Sequence, residues 1–192
     1  MMNAINLMDG LDGLAGGICA IASFTMFIAS LVFGNTEAAL CFLVLLGVIL
    51  GFLRYNFNPA KLFMGDAGSL FLGYNLAVLS IIGIFNYPKI ISFTIPFLVL
   101  GIPIYDVLTS ILRRWKQKKP IFHADGNHIH HRIMALGFTH KQTVIVIYLE
   151  CLFLSVASMS TLLVHSNAAI ILFFAIGILI HFSAIYIKKQ FK

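Results

Sequence analysis

The chain has 192 residues, 60% of them hydrophobic and 10% charged, with mean hydropathy +0.96 and a formal net charge of +6. A soluble domain carries about 25% charged residues, so this chain lacks the polar surface to coat a globule in water and must take the bilayer as its solvent. The three cysteines, Cys19, Cys41 and Cys151, all fall within apolar runs and offer neither a disulfide framework nor metal-ligand spacing.

The chain opens on the string NAINLMDGLDGLAGG, with no basic n-region and no small-residue cleavage site, a pattern that argues against a removable signal peptide. Six apolar runs follow, at 14–33, 38–53, 69–85, 91–112, 143–164 and 168–187. Each is close to the roughly 20 residues that cross about 30 Å of hydrocarbon as a helix. The second and third are short, which tilt or local bilayer thinning accommodates. Period-two alternation is absent, which excludes barrel strands, and lipid leaves helices as the remaining solution. The predicted architecture is an all-α integral membrane protein, a single membrane domain over 1–192 built as a bundle of six spans.

Twelve of the thirteen Lys and Arg residues fall in segments on the same side as the N-terminus, and only Lys89 lies opposite. The positive-inside rule then places both termini in the cytoplasm. The polar residues with chemical potential gather on that same side, in the N-terminal string, in FNPAKLFMGDAGS from Phe57, and in the loop 113–142.

In the first string, Asn6, Asp9 and Asp12 recur every three residues and would share a face if the segment were helical. Two carboxylates and an amide facing one way can bind metal or hydrogen-bond a nucleotide sugar, although a polar lead-in to a span would look similar. In the second string, Pro59, Gly65 and Gly68 break regular structure, so the third span is predicted to start between Asp66 and Ser69. Asp66 suits a helix cap. It suits equally a Mg²⁺ ligand, because Mg²⁺ joins carboxylates to substrate phosphates. Phe63 can stack on a base or anchor at the interface.

The loop 113–142 begins RRWKQKK, a stop-transfer cluster that also attracts anionic lipid, and continues with His123, His128, His130 and His131 within nine residues. Zinc is one reading, with His128 and His131 on one helical face and His123 or Asp125 as further ligands. Anion binding by imidazoles and Arg132 is the other, and the surrounding basicity favours it. Asp106 and Glu150 lie inside apolar runs near the same edge, where they can snorkel, pair with the basic loop or join the site.

NAINLMDGLDGLAGG, FNPAKLFMGDAGSLFLG and HADGNHIHHR resemble, in that order, three motifs of the polyprenyl-phosphate N-acetylhexosamine-1-phosphate transferases, a glycosyltransferase 4 type family. The HIHHR form and the following LGFTHKQ are most similar to the undecaprenyl-phosphate N-acetylglucosamine-1-phosphate transferases that start teichoic acid and O-antigen synthesis. The phospho-N-acetylmuramoyl-pentapeptide transferases of peptidoglycan synthesis match less well. The resemblance implies a bacterial plasma-membrane enzyme with its active site on the cytosolic face. It would transfer sugar-1-phosphate from a UDP-sugar to undecaprenyl phosphate with Mg²⁺ or Mn²⁺ and release UMP. It further implies Asp66 as magnesium ligand, Phe63 as uracil-stacking residue, and Asn56 as a nucleotide contact. Asn6, Asp9 and Asp12 would line the nucleotide-sugar site, and His128, His130, His131 and Arg132 would hold phosphate.

The family pattern includes about ten spans and an aspartate pair in an earlier loop, whereas this sequence has six apolar runs and no Asp-Asp. The expectation is therefore the C-terminal part of a transferase, whose activity alone is in question. A missing N-terminal half or a second copy would be its protein partner, and no nucleic-acid partner is expected. Two other classes compete. A small transporter predicts acids near the bilayer midplane and inverted repeats, and neither is present in the sequence. A zinc-binding membrane scaffold would centre on HIHH.

Overall fold

Lipid offers no partner to backbone N–H and C=O groups, so apolar runs satisfy them internally as helices, and every described apolar run here does so. A computed structural model describes residues 1–84, 89–118, 120 and 128–163, with no strand among them. In chain order the helices are α1 (Met2–Met8), α2 (Leu14–Val32), α3 (Thr36–Asn56), α4 (Gly65–Ile84), α5 (Lys89–Val99), α6 (Gly101–Lys116), α7 (Ile129–Ala135) and α8 (His140–Leu163).

α2 is the centre of the bundle, packed against α1, α3, α4, α5 and α8. Its apolar window is 67% buried, against 33% for α3 and 28% for α4, which places those two on the outside. The core is filled by Ile18 and Met26 of α2, Phe42 and Ile49 of α3, Leu76 of α4 and Ile95 of α5. On α3 the opposite stripe, Leu40, Val44 and Val48, is exposed. Spacing of four puts these three on one face, and a lipid solvent makes such exposure cost nothing.

The turn between α2 and α3 shows how sequence sets these boundaries. Gly34 takes φ +72°, a left-handed conformation that ends α2. Asn35 then caps α3, its Oδ1 accepting from Ala38 N–H at 3.1 Å. Its Nδ2 donates to the carbonyls of Ile82 and Gly83, both at 3.3 Å, and so ties the turn to the end of α4.

Four described helices are long and apolar enough to cross a membrane, within Leu14–Val32, Thr36–Asn56, Gly65–Gly83 and His140–Ser160. They correspond to the first, second, third and fifth predicted spans. The fourth, 91–112, is not one helix: it divides at Leu100 into α5 and α6. Pro96 and Pro103 lack the N–H that a continuous ladder needs, and Gly101 starts the second piece. The sixth predicted span, 168–187, lies outside the described residues, as do His123 and Asp125.

Candidate functional site

The N-terminal string does not continue as a helix. α1 stops at Met8, and Asp9 closes it with φ −80° and ψ 39°. Gly13 takes φ +80° immediately before α2. A side chain there would meet Phe57 as well as the backbone penalty, so glycine serves both needs. The expectation that Asn6, Asp9 and Asp12 share one helical face is therefore corrected: the turn splits them between two neighbours.

Asn6 and Asp9 turn toward the start of α4. Asn6 Nδ2 donates to Asp66 Oδ1 and to Ser69 Oγ, each at 2.9 Å. Ser69, fully buried, bonds back to the carbonyls of Gly65 at 3.0 Å and Asp66 at 3.2 Å, which holds the first turn of α4 in place. α4 begins at Gly65 (φ +62°), one residue before the predicted window, with Asp66 in its first turn. Asp9, half-buried, has its carboxyl pushed up to about 6, first by burial and then by the Asp66 charge, against the lowering effect of the Gly65 N–H. Two carboxylates thus face one exposed corner.

Asp12 turns the other way. Its Oδ2 accepts from Asn58 Nδ2 and from Ala60 N–H, both at 3.0 Å, and so pins the loop between α3 and α4. Asn56 secures that loop from beneath. Its Oδ1 accepts from Gly13 N–H at 3.0 Å and its Nδ2 donates to the Leu62 carbonyl at 2.8 Å. Asn56 is 3% exposed with both ends of its amide engaged, so it shapes the loop. Above this clamp Phe63 stands 74% exposed, a bare aromatic face beside the carboxylate corner.

The histidine string comes to the same corner. His128 precedes α7 in extended conformation (φ −64°, ψ 159°) and is buried, whereas His131 and Arg132 on α7 are exposed. His128 and His131 therefore do not share a helical face as predicted. The ring of His128 stacks with that of His130 at 6.0 Å, and His130 meets His131 at 4.2 Å. His130 lies against Gly10, where an added Cβ would sit 2.5 Å from its Nε2. It is 2% exposed, both ring nitrogens are without partners, and burial followed by His131 and His128 pushes it down to about 4. His130 is thus neutral at physiological pH.

Four further residues build the site, among them Asp106, which the sequence left open between snorkelling, pairing with the basic loop and joining the site. Asp106 of α6 receives His128 Nδ1 on Oδ2 and Ile129 N–H on Oδ1, both at 2.7 Å. An acid within an apolar run signalled its importance, although not its partner. Tyr148 of α8 donates its hydroxyl to the Gly13 carbonyl. Gly73 of α4 lets the backbone of α1 rest on it: a Cβ there would fall 2.7 Å from Met2 Cα. Gly10 gives room to His130.

Among the described residues no three His, Cys, Asp or Glu side chains form a metal cage. The donors at the Asp9–Asp66 corner are oxygens, and a cation would offset both the burial that chiefly raises the Asp9 carboxyl and the smaller repulsion from Asp66. That chemistry fits Mg²⁺, which takes one or two carboxylates and completes its shell with phosphate and water. At the histidines, among the described residues, no set of three such side chains comes together as a structural zinc site needs.

The sequence profile of glycosyl transferase family 4 matches residues 1–84. Over 183 residues the chain is 45% identical to a probable undecaprenyl-phosphate N-acetylglucosaminyl 1-phosphate transferase of Bacillus subtilis, covering 95% of this chain and 50% of that protein. A decaprenyl-phosphate N-acetylglucosaminephosphotransferase of Mycobacterium tuberculosis is 35% identical over 168 residues, 78% of this chain and 42% of its own length. A phospho-N-acetylmuramoyl-pentapeptide-transferase of Staphylococcus aureus is 40% identical over 147 residues, 76% of this chain and 44% of its own length. The chain thus spans about half the length of the curated relatives it matches.

Proposed function

From a chain that belongs to glycosyl transferase family 4, we infer a membrane phosphotransferase that moves a sugar-1-phosphate onto a polyprenyl phosphate. The donor is a UDP-sugar, in the first place UDP-N-acetylglucosamine, and the acceptor is undecaprenyl phosphate. A phosphate oxygen of the lipid bonds to the sugar-bearing phosphorus, the bridge to the uridine-bearing phosphate breaks, and UMP leaves. The reaction runs at the cytosolic face of a bacterial plasma membrane and starts a cell-wall polymer or surface glycan.

The observation that carries this reading is the convergence of all three polar strings on one corner. Asn6 bonds Asp66 at 2.9 Å, Asn58 bonds Asp12 at 3.0 Å, and His130 packs on Gly10. Asp66, with Asp9 beside it, would hold Mg²⁺; bound there, the cation supplies neutralisation of the diphosphate charge. Asn6 fixes the Asp66 carboxylate. Phe63 offers its face to the uracil ring. Asp12 and Asn56 hold the loop that presents Phe63. His128, His131 and Arg132 supply donors to phosphate oxygens, and neutral His130 fills the space between them and Gly10.

The broader match to the Bacillus protein, together with HIHHR in place of three consecutive histidines, favours N-acetylglucosamine-1-phosphate over the phospho-N-acetylmuramoyl-pentapeptide alternative. The test measures UMP and lipid-linked sugar formed from UDP-N-acetylglucosamine, undecaprenyl phosphate and Mg²⁺. Product only with UDP-N-acetylmuramoyl-pentapeptide would establish the alternative. Product with neither donor would overturn both.

A further inference from the structure

We propose that Asp106 is a positioning residue for His128: its carboxylate holds the ring proton on Nδ1 and presents Nε2 as the working nitrogen. The assignment rests on the phosphotransferase reading for its consequence, though not for its geometry. Asp106 is 2% exposed and His128 7% exposed, so the pair is shielded from water. Oδ2 lies 2.7 Å from His128 Nδ1, and Oδ1 lies 2.7 Å from the Ile129 N–H. An ionised carboxylate accepts hydrogen bonds and donates none. Oδ2 therefore requires a proton on Nδ1 whether the ring is neutral or charged.

The second oxygen supplies what a single hydrogen bond would lack. By accepting from Ile129 N–H it fixes the backbone at the base of the same side chain, so one carboxylate sets both the ring's rotation and the start of α7. The stacked His130 ring restrains the open face of the imidazole. Asp106 lies on α6, four residues before the buried Ser110, which accepts from Arg113 Nη2 at 3.2 Å. Nε2 is then the nitrogen left for substrate, as a lone-pair acceptor on a neutral ring and an N–H donor on a charged one. Carboxylate-oriented histidines behave in this way in hydrolase triads and metal sites, where loss of the orienting group costs activity without removing the histidine.

Asp106→Asn separates orientation from folding. Its amide oxygen can still accept from Ile129 N–H, while its NH₂ group would donate to Nδ1 and drive the ring proton to Nε2. The first measurement needs no activity: nitrogen NMR of ¹⁵N-histidine-labelled full chain in lipid nanodiscs, with the His128 signal assigned by its loss in His128→Gln. The expected result is an Nδ1 that keeps its proton across the titration in the wild type and loses it in Asp106→Asn. An Nδ1 that deprotonates before Nε2 in the wild type would overturn the proposal. The second measurement is kinetic, under the transferase assay. Asp106→Asn should lower kcat about 10- to 100-fold with KM for the UDP-sugar unchanged and the thermal midpoint preserved. An unchanged kcat alongside a switched tautomer would also overturn the positioning role. If the wild type turns over no UDP-sugar, the phosphotransferase reading fails, and the NMR result still decides whether Asp106 sets the His128 proton.

Discussion

Asn6 and Asp66, sixty residues apart in sequence, meet through a 2.9 Å hydrogen bond that joins the end of α1 to the first turn of α4. The amide donates to one carboxylate oxygen and, with its other N–H, to Ser69, so Asp66 cannot rotate freely. An oriented carboxylate is what a metal-assisted site requires, because transition-state stabilisation depends on groups fixed beforehand. Asp66→Asn should preserve the fold, since Oδ1 can still accept, and should reduce turnover by about 10²–10³ or more. Asn6→Ala should give a smaller loss, together with a raised Mg²⁺ requirement. Turnover by Asp66→Asn at the wild-type rate would remove the metal role from this residue.

Asp9 gives the corner a pH signature. Its folded value, about 6, exceeds the ordinary 3.8, so its neutral form stabilises the fold fully below 3.8, and that contribution is lost as pH rises through about 6. At pH 7.5 the protein carries the cost of a half-buried charge beside Asp66. Asp9→Asn should therefore stabilise the protein at pH 7.5 in chelator by about 1 kcal/mol once solvent screening is allowed for, read as a raised thermal midpoint. The advantage should vanish near pH 4, and millimolar Mg²⁺ should shrink it at neutral pH. A midpoint difference that is flat from pH 4 to 8 would show that Asp9 is not coupled to this environment.

Phe63 is exposed and fixed only through its loop, so its removal separates binding from stability. Stacking of a base on an aromatic ring contributes about 1–3 kcal/mol. Phe63→Ala should raise KM for the UDP-sugar roughly tenfold, leave the thermal midpoint unchanged, and leave the lipid acceptor's KM unchanged. Phe63→Trp should retain most of the affinity. An effect on the acceptor alone would assign this face to the lipid.

Gly73 tests the seat of α1. A methyl group there would collide with Met2 backbone atoms at 2.7 and 3.2 Å, and backbone cannot swing aside as a side chain can. Gly73→Ala should destabilise the protein by about 1–3 kcal/mol. It should also cut turnover by displacing Asn6 from Asp66, even though no site residue has changed. A variant with normal stability and normal turnover would mean that α1 does not need this contact.

The spans were legible because apolar runs of sufficient length have one solution in lipid; the predicted 14–33 and the observed Leu14–Val32 differ by a single residue. The division at Leu100 was written in Pro96, Gly101 and Pro103, which hydropathy averages away. Within the site, residue types were legible and directions were not. Spacing of three suggested one face for Asn6, Asp9 and Asp12, but Gly10 and Gly13 permit a turn that sends Asp12 to the far side of the loop. The resemblance implied a nucleotide contact at Asn56, and packing adds that both ends of its amide hold backbone groups of the loop and of Gly13. Pairing of Asp106 with the basic loop was among the readings open in the sequence, but which loop residue it meets, 22 positions away, is set by packing.

The resting of His130 on Gly10 has a consequence for biogenesis. Gly10 is covered by a residue that lies far later in the chain, His130, so the corner closes only after α6 and α7 have been synthesised. Until then the acids at positions 9 and 66 remain hydrated while α2, α3 and α4 enter the membrane, and the unfavourable dehydration of Asp9 arises only once neighbouring helices are present to oppose it. The order of translation thereby puts the closing of this corner after the making of α2, α3 and α4.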